Sequence, residues 1–324
     1  PWKTATWGSQ NDVKLLRRLS RQHLTLNQYQ DREQLTISQG PDLRPKATKA
    51  GEDKTEYFDE LADASELNTS ALARLRHLFV LPENAYQPCD RHHLRLRAGR
   101  RTLSVCRGPH LIVSAARNFA VYEEDYLVVP SRQIGIISPD DDRDLLKALS
   151  LFLSSDFAFY HQFFTASQFG VKRDVATLDA LKQMPCPLPM FSRAELKPWV
   201  SLHKKLVKTT PRKVGDTRSN DPTLFDENDP LDELLVELND LVSDSLNLSN
   251  RDRALVSDFV NVRLELNDGK IGRPAVKRPS AADVKAYATR LRNELDDFVG
   301  VDSGYRHSVE AVYDVDSGMI CVDF

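Results

Sequence analysis

Arginines dominate the stretch between residues 91 and 122, which contains seven arginines and no aspartate or glutamate. A run of one charge sign attracts the phosphates of a polyanion. The planar guanidinium can also bond guanine O6 and N7 in a bidentate manner. The composition therefore predicts a DNA-binding surface, and its candidate contacts are Arg91, Arg95, Arg97, Arg100, Arg101, Arg107 and Arg117.

A second group of candidate contacts lies at residues 167–173, a polar segment with the sequence Ser-Gln-Phe-Gly-Val-Lys-Arg. Hydroxyl, amide and basic groups of this kind suit contacts with phosphates and base edges. The segment directly follows an apolar helical pattern, so we expect it to form a loop at the end of that helix. The candidate contacts in this loop are Ser167, Gln168, Lys172 and Arg173.

Both groups have a structural alternative that the sequence leaves open. The arginines could cover a solvated sheet face, or pair with the acidic residues at 123–125 and 140–142. Arg107 could anchor a turn at the Gly-Pro pair that follows it. In the second group, Phe169 could fill the core while Arg173 caps a helix.

Motifs for catalysis on DNA are missing from the sequence. Amino-methylation of a flipped base uses an Asn/Asp/Ser-Pro-Pro-aromatic loop. The nearest match, Asn228-Asp229-Pro230, lacks the second proline and the aromatic residue. No glycine-rich turn follows a predicted strand, as a nucleotide-binding loop would. We therefore expect no catalytic residue and no cofactor-binding residue in this chain.

Two short patterns could indicate metal chemistry. Asp268-Gly269-Lys270 has the Asp-x-Lys form of a magnesium-dependent nuclease, but it belongs to an Asn-Asp-Gly sequence that is typical of a turn. Cys89, His92 and His93 lie close together in the sequence, but no second cluster completes a tetrahedral zinc site. We predict that neither pattern binds a metal.

Charge is distributed unevenly along the chain. Residues 221–324 hold 11 Lys and Arg against 22 Asp and Glu, a net charge of −11, and residues 1–220 hold 33 against 25, a net charge of +8. The basic part suits a polyanion, and the acidic part suits a solvated face or a protein contact. No apolar run reaches the length of a membrane span, and the four scattered cysteines favour a cytoplasmic location.

The spacing of apolar residues predicts an α+β fold that positions these candidates. Short β-prone runs between residues 94 and 137, broken by Gly and Pro, predict a β-rich region. A loop is predicted at 38–54. The remaining predicted elements are a hairpin at 308–322 and helices at 11–29, 69–78, 145–164, 178–184, 193–207, 231–241, 252–264 and 280–298.

These elements predict four segments along the chain. Residues 1–68 form an amino-terminal helical lead with a mobile loop, and residues 69–190 form a β-rich domain with packed helices. Residues 191–228 form a spacer helix and a linker. Residues 229–324 form an acidic, mainly helical tail that ends in a β-hairpin.

Several of these segments resemble the target recognition domains of restriction-modification systems. The resemblance rests on Leu-Ser-Leu-Phe-Leu-Ser-Ser-Asp at 149–156, on the 167–173 segment, and on Leu-Lys-Gln-Met-Pro-Cys-Pro-Leu-Pro at 181–189. A similar proline-rich run before a helix ends these domains in type I specificity subunits and in fused, type IIG-like enzymes. Residues 1–9, Pro-Trp-Lys-Thr-Ala-Thr-Trp-Gly-Ser, look like the segment that follows the methyltransferase domain of fused adenine-N6 enzymes.

The resemblance covers residues 1–200 and implies sequence-specific binding of double-stranded DNA. It implies that the β-rich region enters a DNA groove as the target recognition part of an adenine-N6 DNA methyltransferase in a restriction-modification or phage-defence system. Catalysis, S-adenosylmethionine and the flipped adenine would then belong to an associated methyltransferase domain or subunit. The resemblance leaves open whether a nuclease or another defence-system subunit is a further partner. The alternative is a protein-interaction or assembly module that acts through its acidic carboxyl-terminal tail.

Overall fold

The protein has an α+β fold, 56% helix and 15% strand, in a computed structural model. The structure describes residues 2–43, 55–57, 61–72, 77–89, 93–95, 103–117, 119–167, 169, 175–210, 230–264, 279–299, 304–314 and 319–323. The chain forms two compact units, Pro1–Val260 and Asn261–Phe324.

The elements are numbered in chain order. The helices are α1 (Trp2–Thr6), α2 (Gln10–Gln22), α3 (Leu26–Asp31), α4 (Thr69–Leu72), α5 (Arg143–Leu153), α6 (Asp156–Thr165), α7 (Leu178–Lys182), α8 (Arg193–Thr209), α9 (Pro230–Ser245), α10 (Asn250–Asp258) with a π-helical turn at Phe259–Arg263, and α11 (Ala281–Val299). The strands are β1 (Thr36–Gln39), β2 (Asp42–Leu43), β3 (Thr55–Tyr57), β4 (Ser65–Leu67), β5 (Tyr86–Pro88), β6 (His93–Arg95), β7 (His110–Val113), β8 (Ala120–Glu123), β9 (Ile134–Ile137), β10 (Glu310–Asp314) and β11 (Met319–Asp323).

A four-stranded antiparallel sheet with the order β1-β9-β7-β8 forms the centre of the first unit. Its register pairs Ile136 with Ile37 on one side and with Leu111 on the other. All four residues of β7 are buried, as expected of a strand that is covered on both faces.

Each face of this sheet packs against a different layer. The helix α5 packs against β7 and β8, and the Ser150 hydroxyl on α5 donates a 2.7 Å hydrogen bond to the carbonyl of Ala120. Ile112 and Val121 belong to a separate apolar cluster that includes Leu67 from β4. Side chains alternate between the two faces of a strand, so the sheet separates a helical layer from a layer of short strands.

Two predicted helices are each divided in two, and these predictions of single helices were wrong. The predicted helix at 11–29 becomes α2 and α3, because a capping box between Thr25 and Gln28 starts a new helix. The predicted helix at 145–164 becomes α5 and α6, where the Ser155 side chain caps α6. Apolar spacing continues across both breaks, whereas a hydroxyl that accepts from backbone N–H groups favours a new helix start.

The remaining helix and strand boundaries either match the predicted ones or differ from them by several residues. The helices α8, α9 and α11 lie where helices were predicted, and β10 and β11 pair in antiparallel fashion within the predicted hairpin. The helix α4 covers Thr69–Leu72, and residues 77 and 78 of the predicted helix are not helical. Residues 38–39 and 42–43 of the predicted loop belong to β1 and β2.

The first helices of the acidic tail, α9 and α10, belong to the first unit and contact its other helices. The Lys205 ammonium of α8 lies 3.0 Å from the Glu237 carboxylate of α9, and the Arg18 guanidinium of α2 lies 2.8 Å from the Asp252 carboxylate of α10. The first unit therefore includes the lead, the spacer helix and part of the tail, and the four-segment division stays a prediction.

Within the described ranges, no helix has both the length and the apolar character needed to cross a membrane. The same ranges hold no group of three or more His, Cys, Asp and Glu side chains that could bind a metal ion. His92 and residues 268–270, which the sequence patterns single out, lie outside the described residues, and Cys89 is buried.

Two buried histidines predict loss of stability in acid. Burial lowers the pKa of His161 on α6 and of His203 on α8 to about 4 from the ordinary 6.5. The unfolded chain therefore binds more protons than the folded chain between these values, and the free energy of unfolding falls as pH drops from 6.5 to 4. Each histidine contributes a slope of at most about 1.4 kcal/mol per pH unit.

Urea denaturation at pH 7.5 and pH 5 tests this expectation. In the His161→Gln variant, whose side chain does not titrate, the loss of stability between the two pH values should be roughly 2 kcal/mol smaller than in the wild type. An equal loss in both proteins would contradict it.

Candidate nucleic-acid interface

Most of the predicted contact residues lie outside the described residues: Arg91, Arg97, Arg100, Arg101, Gln168, Lys172 and Arg173. For Arg95 the structure gives the backbone position on β6, the central strand of the sheet β2-β6-β3. There Arg95 stands opposite Asp42 on one side and Thr55 on the other. The DNA contacts assigned to all of these residues stay predictions.

Arg107 and Ser167 are exposed, as a contact residue must be. The Arg107 N–H donates to the carbonyl of Ser104 at the end of a 3₁₀ turn. A Cβ atom on the neighbouring Gly108 would lie 1.9 Å from the carbonyl oxygen of Glu124, so this close backbone approach requires glycine. Contact between two backbones thus helps to hold the turn that carries Arg107.

Arg117 does not face a partner, and its prediction as a DNA contact is corrected. Only 8% of the residue is exposed. Its guanidinium donates to the carbonyls of Ser114 (2.8 Å), Thr177 (3.0 Å) and Ala176 (3.4 Å), and to the side-chain oxygen of Gln162 on α6. Burial lowers the pKa of Arg117, yet a guanidinium keeps its charge at neutral pH. Arg117 is a buried cation whose hydrogen bonds stay inside the protein.

Lys3 is a second buried cation, with 1% of the residue exposed. Its ammonium donates to the carbonyls of Phe163 (2.7 Å), Ala166 (2.6 Å) and Phe169 (2.5 Å), and lies 4.4 Å from the centre of the Phe163 ring. The last carbonyls of a helix lack partners within the helix and attract cations, which explains why Lys3 binds where α6 ends. Burial lowers the pKa of Lys3 to about 8, so most of these amines are charged at pH 7.

The two cations hold opposite ends of the predicted DNA-contact segment. Lys3 binds carbonyls on both sides of Ser167, at the entry to the 167–173 segment. Arg117 binds the carbonyls at 176 and 177, just after its exit, where the Ala176 N–H also donates to the carbonyl of Ala115. A buried charge is costly unless it is fully hydrogen-bonded. These hydrogen bonds therefore constrain the backbone at both ends of the segment.

Phe169 shows that the segment also has a structural role. The residue is 3% exposed, and the centre of its ring lies 5.2 Å from that of Phe159 on α6. The interpretation that Phe169 fills the core is thus confirmed. Because Ser167 is exposed, the structure places one residue of the segment inside and another outside.

Acidic residues near the sheet edge pair with side chains outside the predicted DNA-contact set. The Glu124 carboxylate accepts a hydrogen bond from the Tyr122 hydroxyl and lies 2.7 Å from the Arg143 guanidinium, and these two contacts lower the pKa of Glu124. The Glu123 carboxylate accepts a 2.6 Å hydrogen bond from the Tyr86 hydroxyl. Tyr122, Arg143 and Tyr86 thus hold these two carboxylates.

Lys3 and Gln162 have roles that the sequence reasoning missed. Each forms hydrogen bonds with residues that are distant in sequence. Lys3 donates to carbonyls more than 160 positions away, and Gln162 accepts from the guanidinium of Arg117, 45 positions away. Lys3 lies beside Trp2 in a short segment with no apolar periodicity, and Gln162 lies within an apolar run. The polar residue inside that apolar run is the one signal that could have pointed to a buried hydrogen bond.

No protein-family model matches this chain, and the curated proteins contain no significant match to it.

Replacing Arg117 tests its role as a buried anchor. The Arg117→Met variant leaves the carbonyls of Ser114, Ala176 and Thr177 without this donor, and a buried acceptor that loses its donor costs about 1–3 kcal/mol. We expect a loss of that size in the free energy of unfolding, measured by urea denaturation. The matched control is Arg132→Met at an exposed position, which should change stability by less than about 0.5 kcal/mol. Similar effects of the two substitutions would contradict the anchor role.

Proposed function

We propose that this chain binds double-stranded DNA in a sequence-specific manner. In this proposal it is the target recognition part of an adenine-N6 DNA methyltransferase that belongs to a restriction-modification or phage-defence system. The observation that carries the proposal is that two buried cations bind backbone carbonyls on either side of the polar, basic 167–173 sequence: Lys3 binds those of Ala166 and Phe169, and Arg117 binds those of Ala176 and Thr177.

This anchoring supports binding because a contact surface must be positioned before its partner arrives. Ordering a free loop on binding costs conformational entropy and weakens affinity. Backbone that is held on either side of a binding segment lowers this cost, which favours contacts from hydroxyl, amide and basic groups to phosphates and base edges. The exposed Ser167, between two carbonyls bound by Lys3, illustrates this placement.

The architecture is compatible with a recognition domain of the proposed kind. The described residues of the arginine-rich stretch include β6, β7 and the start of β8, and α8 follows the proline-rich run at 181–189. Residues 230–323 contribute helices and an antiparallel strand pair, in agreement with an acidic helical tail that ends in a hairpin. In the proposal, S-adenosylmethionine and the catalytic residues belong to the associated methyltransferase domain or subunit.

Selection from a random duplex library with the full chain tests the proposal, followed by fluorescence anisotropy on the enriched sequence. We expect enrichment of one sequence and affinity that falls steeply with salt. Lys172→Ala should weaken binding to all duplexes and lower the salt slope by about one. Alanine at a base-reading arginine of the 91–107 stretch should reduce discrimination by about 1–3 kcal/mol.

The matched control is Lys204→Ala, which removes an exposed cation from α8 and should leave both affinity and discrimination unchanged. If neither the wild type nor any variant shows salt-dependent duplex binding, the proposal is wrong. The interaction module acting through the acidic tail then becomes the better hypothesis.

A further inference from the structure

The amino-terminal segment contacts the helix that leads into the 167–173 segment at three places. Lys3 binds the carbonyls at the end of α6. Gly8 packs so closely that an added Cβ would lie 3.0 Å from a ring carbon of Phe164 and 3.1 Å from the carbonyl oxygen of Thr4. Asp12 accepts a 2.7 Å hydrogen bond from the Tyr160 hydroxyl. Residues 3–12 are thus aligned along α6.

The Asp12 contact is itself rigidly held. Asp12 is completely buried, and one carboxylate oxygen accepts from the Ser9 N–H at 2.5 Å and from the Ser9 hydroxyl at 2.7 Å, while the other accepts from Tyr160. The Ser9 and Asp12 pair is also the capping box that starts α2. A shift of this segment along α6 would therefore break the Asp12 contact and the Lys3 contacts together.

The Lys3 contacts differ from those of Gly8 and Asp12 because one of the three carbonyls that Lys3 binds lies beyond the end of α6. Phe163 is in the last turn of α6, Ala166 is its C-cap residue, and Phe169 lies past it. One ammonium group thus joins the helix end to backbone on both sides of Ser167. A methylene chain without the ammonium would leave three carbonyls without this donor.

We infer that Lys3 is a positioning residue that couples the amino-terminal segment to the 167–173 segment, so that moving residues 3–12 changes how this protein binds DNA. The inference rests on the proposed function for its DNA part. The coupling itself concerns only the protein, and it is measurable without DNA. A domain or subunit that contacts residues 3–12 would, through Lys3, alter the DNA-contact segment.

Three variants of the full chain test the coupling. Lys3→Met removes the donor but keeps most of the side-chain volume, whereas Lys3→Arg keeps the positive charge. Lys14→Met is the matched control at an exposed position on α2. Hydrogen exchange of peptides covering 163–177 and of a peptide from β7 is measured without DNA, and duplex affinity is measured on the selected sequence.

For Lys3→Met we expect at least tenfold faster exchange in 163–177, unchanged exchange in β7, and five- to tenfold weaker DNA binding. Lys3→Arg should recover part of both losses, and Lys14→Met should match the wild type. Unchanged exchange in 163–177, or equal acceleration in β7, would overturn the coupling. Faster exchange with unchanged DNA affinity would overturn the functional part of the inference and leave the proposed function intact. A wild type that binds no DNA would overturn the proposed function and the DNA part of the inference, and the exchange data would still decide the coupling.

Tyr160→Phe provides a second test in case Lys3→Met does not fold. It removes the hydrogen bond to Asp12 and leaves Lys3 in place. We expect the same pattern of exchange with a smaller amplitude, about three- to fivefold. No acceleration in 163–177 in this variant would overturn the inference that residues 3–12 act on the segment as a unit.

Discussion

Burial of two cations beside α6 is the interaction on which the first unit depends. Lys3 binds the carbonyls at the end of this helix, and Arg117 binds the side chain of Gln162 within it. Neither charge can be buried without its acceptors, since an unpaired charge in the interior is strongly unfavourable. Residues 3 and 117 and the backbone at 163–169 and 176–177 must therefore assemble together. These hydrogen bonds join the amino-terminal segment, α6 and the loop between β7 and β8 within the first unit.

The same helix, α6, also packs against Phe259 of the acidic tail. Phe259, in the π-helical turn after α10, has its ring centre 5.5 Å from that of Tyr160, 4.9 Å from that of Phe163 and 4.7 Å from that of Phe164. Aromatic pairs at such separations add stability beyond their buried area. The ring of Phe163 thus contacts both a tail residue and the Lys3 ammonium. One short helix links the lead, the sheet and the tail, which explains why the compact unit extends to Val260.

Local patterns predicted the parts of this structure that depend on local interactions. The spacer helix α8 lies where it was predicted because Ser192 and Glu195 form a capping box and its apolar spacing is regular. The break between α5 and α6 was missed, because the apolar pattern of a fully buried helix does not change where a serine caps it. Arg117 was misassigned for a related reason: charge composition shows that an arginine is present, but only tertiary packing places it beside Gln162. Lys3 depends on contacts across more than 160 residues, and no local pattern encodes them.

Charge counted along the sequence also differs from charge in the folded protein. Arg253 lies 3.1 Å from Asp240 and 2.5 Å from Asp244, and Glu237 and Asp252 pair with Lys205 and Arg18. These pairs neutralise carboxylates of α9 and α10 locally, and salt screens the remaining field within about 10 Å. The net charge of the tail is therefore a weak criterion for deciding between DNA binding and an assembly role. The backbone around residues 166–169 and 176–177 is a stronger criterion, because its position is fixed by hydrogen bonds to two buried cations and does not depend on total charge.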